Sequence, residues 1–257
     1  MVIGSRCMAI FALLLLFSFP QINAQSFSGT PNKNYRHSVA LSGAFKQWEV
    51  YEIDAPALLS AVKNQSVPQI TLGAHQWHLN LSSSHLLAPG YTLQVATPEG
   101  KQIVNPTEDP AYRGYETSGG GQVRLTLTED FIYGFVEEGG ETWYVEPLWY
   151  HEPGAAKDLF VVYADKDVIP TENALCLAKE VKNKRREVIE SEPLQDTPEA
   201  VSACYTLEIA IASDKSMFTQ YSTVTAVQNH NIGVLNAVQA NYTGVFSQDI
   251  QFAIVTQ

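Results

Sequence analysis

The sequence predicts an α+β protein in two parts, an antiparallel β-rich domain followed by the opening β-α-β of an α/β domain. Three observations predict it. From Val39 to about Tyr163, short stretches of β-branched and aromatic residues recur between turn residues. From Tyr205 to Gln257, an apolar strand, a long helical pattern and a second apolar strand follow one another. Between them, Pro170 to Thr197 is charged and Pro-bearing, and reads as a linker. The expected divisions are 1–24, a leader; 25–170, the β-rich domain; 171–203, the linker; and 204–257, the α/β portion.

Arg6 is the only charged residue before an apolar core from Cys7 to Phe19, which Pro20 ends. Ile22-Asn23-Ala24 then offers a small residue for cleavage before Gln25, the pattern of a secretory signal. The core falls short of the roughly 20 apolar residues that span a bilayer, so export without a membrane anchor is expected. Removing the leader takes Cys7 and leaves Cys176 and Cys204, too few thiols for a disulfide scaffold. Gln25 to Arg36 is polar and reads as a flexible new N-terminus. The net charge of -11 and pI of about 4.9 argue against nucleic acid or an anionic membrane as partner.

Within the β-rich part, Trp48 to Ile53 alternates, and Asp54 to Val62 reads as a short helix with Asp54 as cap and Pro56 in the first turn. Ile70 to Leu72, Trp77 to Leu81 and Tyr91 to Val95 are strands, and Thr97-Pro98-Glu99-Gly100 is a turn. Val123 to Leu127 alternates strictly. Phe131 to Val136 and Glu141 to Glu146 face each other across Glu137-Glu138-Gly139-Gly140, and Leu159 to Tyr163 closes the set. The spacing predicts an antiparallel sandwich or barrel.

In the C-terminal part, Tyr205 to Asp214 reads as a strand buried on both faces. Val224, Val227, Val234, Leu235, Val238, Tyr242 and Val245 share one helical face, and Ile250 to Gln257 is the second strand. One helix covers too little of such a sheet. The expectation is the N-terminal part of a longer protein.

Glu208-Ile-Ala-Ile-Ala-Ser-Asp214, Met217-Phe218, Tyr221, Asn236 and Ile250 to Val255 together resemble the first β-α-β of reprolysin (adamalysin, ADAM-like) zinc metallopeptidases of the metzincin group. Upstream, Trp77 to Leu81, Leu86-Leu-Ala-Pro-Gly-Tyr91, Tyr112-Arg-Gly-Tyr115, Val123 to Leu127, Ile132-Tyr-Gly-Phe135 and Tyr144-Val-Glu-Pro-Leu148 follow the order of reprolysin propeptides. The resemblance spans roughly residues 70 to 257. It departs at Ala111, where a cysteine usually stands beside the Tyr-x-Gly step.

The resemblance implies a propeptide followed by the start of a truncated metzincin-type catalytic domain. The complete enzyme would use zinc and a Glu base to hydrolyse peptide bonds in a protein or peptide substrate. The H-E-x-x-H-x-x-G-x-x-H motif that carries the zinc ligands is absent; His151-Glu152-Pro153 lacks the second His and is broken by Pro153. No catalytic residue is therefore assigned, and the chain alone is expected to be inactive. The resemblance also implies an intramolecular contact between propeptide and catalytic domain.

Cys176, just before the linker, is a candidate cysteine switch, its thiolate filling the open zinc position. Its flanks lack the Pro-x-x-Cys-Gly pattern, and a disulfide with Cys204 or a buried thiol stand beside that reading. Lys184, Arg185 and Arg186 are candidates for processing, although Glu180–Lys184 and Arg186–Glu190 are also helical i,i+4 pairs. Glu208 matches a family position that binds structural calcium, but one carboxylate makes no site. His75 and His78 fall on opposite faces of a strand, and His230 reads as a residue of a helix's polar face.

Two functions follow. One is the N-terminal part of a secreted zinc metalloendopeptidase zymogen, whose propeptide inhibits and assists folding. The other is a non-catalytic secreted β-rich binding or inhibitor module.

Overall fold

The computed structural model describes residues 25–104, 108–170, 205–246 and 250–257. The leader and the linker expected at 171–203 lie outside them. Ten strands form one sheet, in the order β1 (Ser26–Ser28), β4 (Gln69–Leu72), β5 (His75–Ser83), β8 (Ala111–Glu116), β9 (Gln122–Thr128), β10 (Phe131–Glu138), β11 (Glu141–Pro147), β12 (Leu159–Ala164), β3 (Glu49–Glu52) and β2 (Thr30–Pro31). The two ends of that sheet are neighbours in the chain. Residues 26–31 run parallel to β4 through Phe27↔Ile70 and antiparallel to β3 through Pro31↔Tyr51. Gly29 N–H donates to Thr71 O at 2.9 Å and Asn32 N–H to Val50 O at 2.8 Å, so the sheet nearly closes into a barrel.

Alternation along each strand sends one set of side chains inward. Trp77, Leu79, Val123, Leu125, Ile132, Val136, Val145, Phe160 and Val162 fill the interior and are all buried. Helix α2 (Ala55–Lys63) contributes Leu58 and Val62 to the same core. Asp54 caps it, its carboxylate accepting from Ala57 N–H at 2.9 Å, and Pro56 lies in its first turn. About 10 Å³ of open space remains at the centre. The barrel is a packed core, not a container. Outside β3 and β12, helix α1 (Val39–Ala44) lays Leu41 over Val50, Leu159, Val161 and Tyr163.

The β10–β11 hairpin turns at Gly139 and Gly140, both at positive φ (61° and 84°), as a two-residue turn requires. Within β10, Gly134 sits at φ +148°, and a Cβ there would stand 1.9 Å from Arg124 O. Only glycine lets β9 and β10 approach so closely at that point.

A second sheet corrects the expected fold class. Its order is β13 (Tyr205–Ala210), β14 (Ile250–Thr256), β6 (Leu87–Thr97) and β7 (Gly100–Val104). β13 and β14 are parallel and joined through α3 (Lys215–Tyr221) and α4 (Val224–Phe246), so the local β-α-β forms. It does not open a separate α/β domain. β14 pairs in parallel with β6, and the β6–β7 hairpin of the N-terminal part completes the sheet. The chain is a β-rich protein built on a ten-stranded, nearly closed barrel, not an α+β propeptide followed by a metzincin start. Nor is the barrel wholly antiparallel, since β1 and β4 run parallel.

Two further readings change with it. β13 is not buried on both faces: it is the free edge of its sheet, with Tyr205 61% and Leu207 45% exposed. On α4 the buried residues are Ala226, Gln228, Asn229, Ile232, Gly233, Asn236, Gln239 and Ala240; of the expected apolar face, Val224, Leu235, Val238 and Tyr242 pack partly buried against the core, whereas Val234 is exposed. An apolar stripe marks one face of a helix. This helix is covered on two, by the four-stranded sheet and by the outer wall of β8, β9 and β10.

Candidate functional site

α4 carries Gln228, Asn229, Asn236 and Gln239, half of the buried polar residues among those described, and meets the barrel wall along a seam. Asn236, 1% exposed, donates through Nδ2 to Tyr112 O (3.1 Å) and Leu125 O (3.2 Å) and accepts from Ser84 Oγ (2.9 Å). Those carbonyls belong to neighbouring strands β8 and β9, so one amide pins the helix across two strands. Three residues earlier, Gly233 meets Tyr133; a Cβ there would lie 2.5 Å from the ring. On the opposite side of α4, Gln239 donates to Ile250 O (2.8 Å) and accepts from Phe252 N–H (2.6 Å). Gln228 donates to Tyr91 Oη (3.0 Å). Each of these three amides has a partner, as burial demands.

At the N-terminal end of the seam, His230 sits in a cage of aromatic rings. Tyr221 stacks on the imidazole, centroids 4.4 Å apart, with its hydroxyl 3.2 Å from Nε2. The Tyr150 hydroxyl lies 3.2 Å from Nδ1, and Tyr133 stands edge-on at 5.7 Å. Glu146 is the nearby acid; it accepts from the Tyr163 hydroxyl at 2.8 Å and pairs with His151 Nε2 at 3.1 Å. Burial pulls His230 below its ordinary pKa, with Glu146 opposing. Burial likewise raises Tyr150 and Tyr133 and pushes Tyr221 up to about 12, so the hydroxyls stay protonated near neutrality. The cage holds a neutral imidazole between two hydroxyls. It fastens the helix.

On the outer face of β9, Arg124 is 4% exposed and Thr126 fully buried. The Arg124 Nη1 donates to Val123 O at 3.1 Å, while its Nε and the Thr126 hydroxyl have no hydrogen-bond partner among the described residues. Burial, and then Arg113, lowers the guanidinium pKa, with Glu137 opposing.

Of the clefts that open elsewhere, two carry aromatic side chains. One, of about 540 Å³ at a barrel mouth, is lined by Arg36, Lys46, Trp48, His75, Trp143 and Tyr163 among others. There His75 packs on Trp143 at 4.1 Å and pairs with Glu138 at 2.7 Å. The other, of about 550 Å³, lies beyond the carboxyl ends of β13 and β14, between Asp214, Phe218, Gln228, Asn231 and Gln257.

Of the residues singled out in the sequence, Ala24, Cys176, Cys204, Lys184, Arg185 and Arg186 lie outside the described residues. Gln25 is exposed, its carbonyl accepting from Gln69 N–H at 2.9 Å. Glu208 stands exposed on the edge strand β13. His75 lies on the Trp77 face of β5, while His78 contacts Ser118 at 3.3 Å. Among the described residues, no group of three or more His, Cys, Asp or Glu could hold a metal ion.

His230 is not a polar-face residue but the centre of the cage. Asn236 enters the sequence reading only through the resemblance, and Gln228, Gly233 and Gln239 escape it because they interrupt the apolar stripe that marks a helix's buried face. The available signal was their own spacing: amides at 228, 236 and 239 on a helix, with a glycine between them. Neither the family models nor the curated proteins provide a match for this chain. Among the described residues, no helix is long and apolar enough to cross a membrane.

Proposed function

We propose that this chain belongs to a secreted zinc metalloendopeptidase precursor, in which the barrel is the pro-region that covers and helps fold the segment from Tyr205 onward. One observation supports this reading above the others. Several of the motifs that resemble reprolysin precursors, scattered from Leu86 to Val255, meet on the two faces of α4. Asn236 bonds the carbonyls of Tyr112 and Leu125, Gly233 packs on Tyr133, and Ile254 is buried with Leu86 and Tyr91. In this reading zinc and the general base come from residues outside this sequence, and zinc supplies an activated water. Cys176 caps the metal, cleavage after Lys184-Arg185-Arg186 severs the covalent link between barrel and C-terminal segment, and calcium at Glu208 is supplied in part from elsewhere.

The test is the complete coding sequence, expressed by a secretory route. An H-E-x-x-H-x-x-G-x-x-H motif beyond Gln257, one bound zinc, and activity before processing in Cys176→Ala are expected. A product without that motif and without zinc overturns the reading.

A second reading, a non-catalytic secreted binding module, rests on the barrel-mouth cleft. There Trp48, Trp143, His75 and Tyr163 line about 540 Å³ together with Arg36, Lys46, Glu49 and Asp167, aromatic rings beside charges of both signs that suit a small polar ligand.

A further inference from the structure

We propose that the β6–β7 hairpin is a donated pair of strands, and that residues 25–170 and 205–257 form two halves of one interface that stays together when the chain between them is cut. The surface is built from both halves. β14 pairs with β6 through Ile254 N–H to Leu86 O (2.7 Å), Gln257 N–H to Thr92 O (3.0 Å) and Gln94 N–H to Gln257 O (2.7 Å). The Thr256 hydroxyl adds a bond to Thr92 O at 3.0 Å. Over those strands lies one apolar core: Leu86, Tyr91, Leu93 and Ala111 come from the N-terminal half, and Ile232, Phe252 and Ile254 from the C-terminal half. Neither set closes without the other. Separation would bare the face of Leu86, Tyr91 and Leu93 and the edge of β6 on one side, and Ile232 and Ile254 on the other. An open strand edge beside exposed apolar surface favours re-pairing.

The seam adds geometry to this apolar surface. Asn236 reads the carbonyls of β8 and β9, Gln228 reads the Tyr91 hydroxyl, and Gly233 admits the Tyr133 ring. The partner fitted by the barrel is thus specific: a helix with a glycine and an amide three residues apart, followed by a strand that enters parallel to β6. Cutting the connection removes only the high effective concentration that the linker supplies. The contacts themselves are untouched.

The inference does not depend on the peptidase reading, because it concerns only contacts within these residues. For the test, a site-specific protease sequence is introduced within 187–199 of the full chain, the purified protein is cut, and size-exclusion chromatography is run at neutral pH and about 1 μM, a dissociation constant that corresponds to a moderate interface. The two fragments are expected to co-elute, and to do so at least about tenfold less tightly in Gly233→Val and Asn236→Leu. Any variant whose uncut form loses its near-ultraviolet signal is replaced by Ser84→Ala, which deletes one bond to Asn236 and leaves the barrel core alone. Fragments that elute apart, or a C-terminal fragment that precipitates on cutting, overturn the proposal. So does wild-type retention in all of the variants, since the surface named would not be the one that holds. Failure here leaves the zinc and activity assays of the complete protein unaffected.

Discussion

The barrel interior and the seam beneath α4 are both buried, yet they are closed by different chemistry. Inside the barrel the side chains are apolar and the hydrogen bonds belong to the strands themselves. At the seam, side-chain amides, a histidine and a glycine lie between two finished surfaces. The first depends on volume and the second on direction. A core specified by volume tolerates swaps of similar size. A seam specified by direction loses its register when one donor is removed, because the carbonyls it served remain buried.

The sharpest way to break that contrast is in the barrel. Trp77 is 1% exposed and its Nε1 has no partner among the described residues. Trp77→Ala should cost about 3–5 kcal/mol in urea unfolding, while Trp77→Phe, which keeps most of the volume and discards an unpaired N–H, should cost under about 1.5 kcal/mol. A large loss in Trp77→Phe would mean that the interior is directional too.

At the seam the order reverses, and the conservative change is the damaging one. Asn236→Leu keeps the size but strands the carbonyls of Tyr112 and Leu125, for an expected loss of about 2–3 kcal/mol. Gly233→Val should cost about 1–3 kcal/mol by overpacking against Tyr133. A double-mutant cycle with Tyr133→Ala should return part of it, since the two side chains touch. Additive losses would place the clash elsewhere.

The smallest effect is pH-dependent and separates the regions without altering volume. The folded pKa of His230 is depressed by burial, so its contribution is fully present above the unfolded value of about 6.5 and is lost as pH falls through the folded pKa. The groups facing it are the Tyr133, Tyr150 and Tyr221 hydroxyls and Glu146. The tyrosines do not titrate in that range. The urea midpoint should be flat above about pH 6.5 and decline below it, and His230→Gln should remove that part of the decline. Glu116 acts lower: burial pushes its pKa up, but the N–H groups of Ser118, Gly119 and His78 outweigh it and hold the carboxyl below its ordinary value. Its contribution is lost only in stronger acid, so the His230 step stands apart.

The same contrast explains what could be read from the sequence. Strands β3 to β6 and β9 to β12 announce themselves by runs of β-branched and aromatic residues, the β10–β11 hairpin by its glycines, and α2 by Asp54 and Pro56, because each signal is local, whereas β7 and β8 carry no such run. The elements β13, α4 and β14 were legible too. What was not legible is which edges meet. Nothing local in Leu87–Thr97 says that its second partner lies at Ile250–Thr256, and nothing in Ser26–Pro31 says that it closes a barrel between β4 and β3. Sequence distance suggested two domains where the pairing makes one sheet. The seam escaped for a related reason: polar residues on a helix read as solvent-facing until a second surface is known to cover them.

The pairing of β6 with β14 also sets a schedule for synthesis. A ribosome adds about 5–20 residues per second, so the hairpin at Leu87–Val104 emerges on the order of ten seconds before the strand that completes it. Throughout that interval one edge of β6 is open next to Tyr91 and Leu93. The nascent chain is most prone to mispairing then, and slowing elongation between Val104 and Ile250 should lower the yield of native protein more than slowing it anywhere upstream.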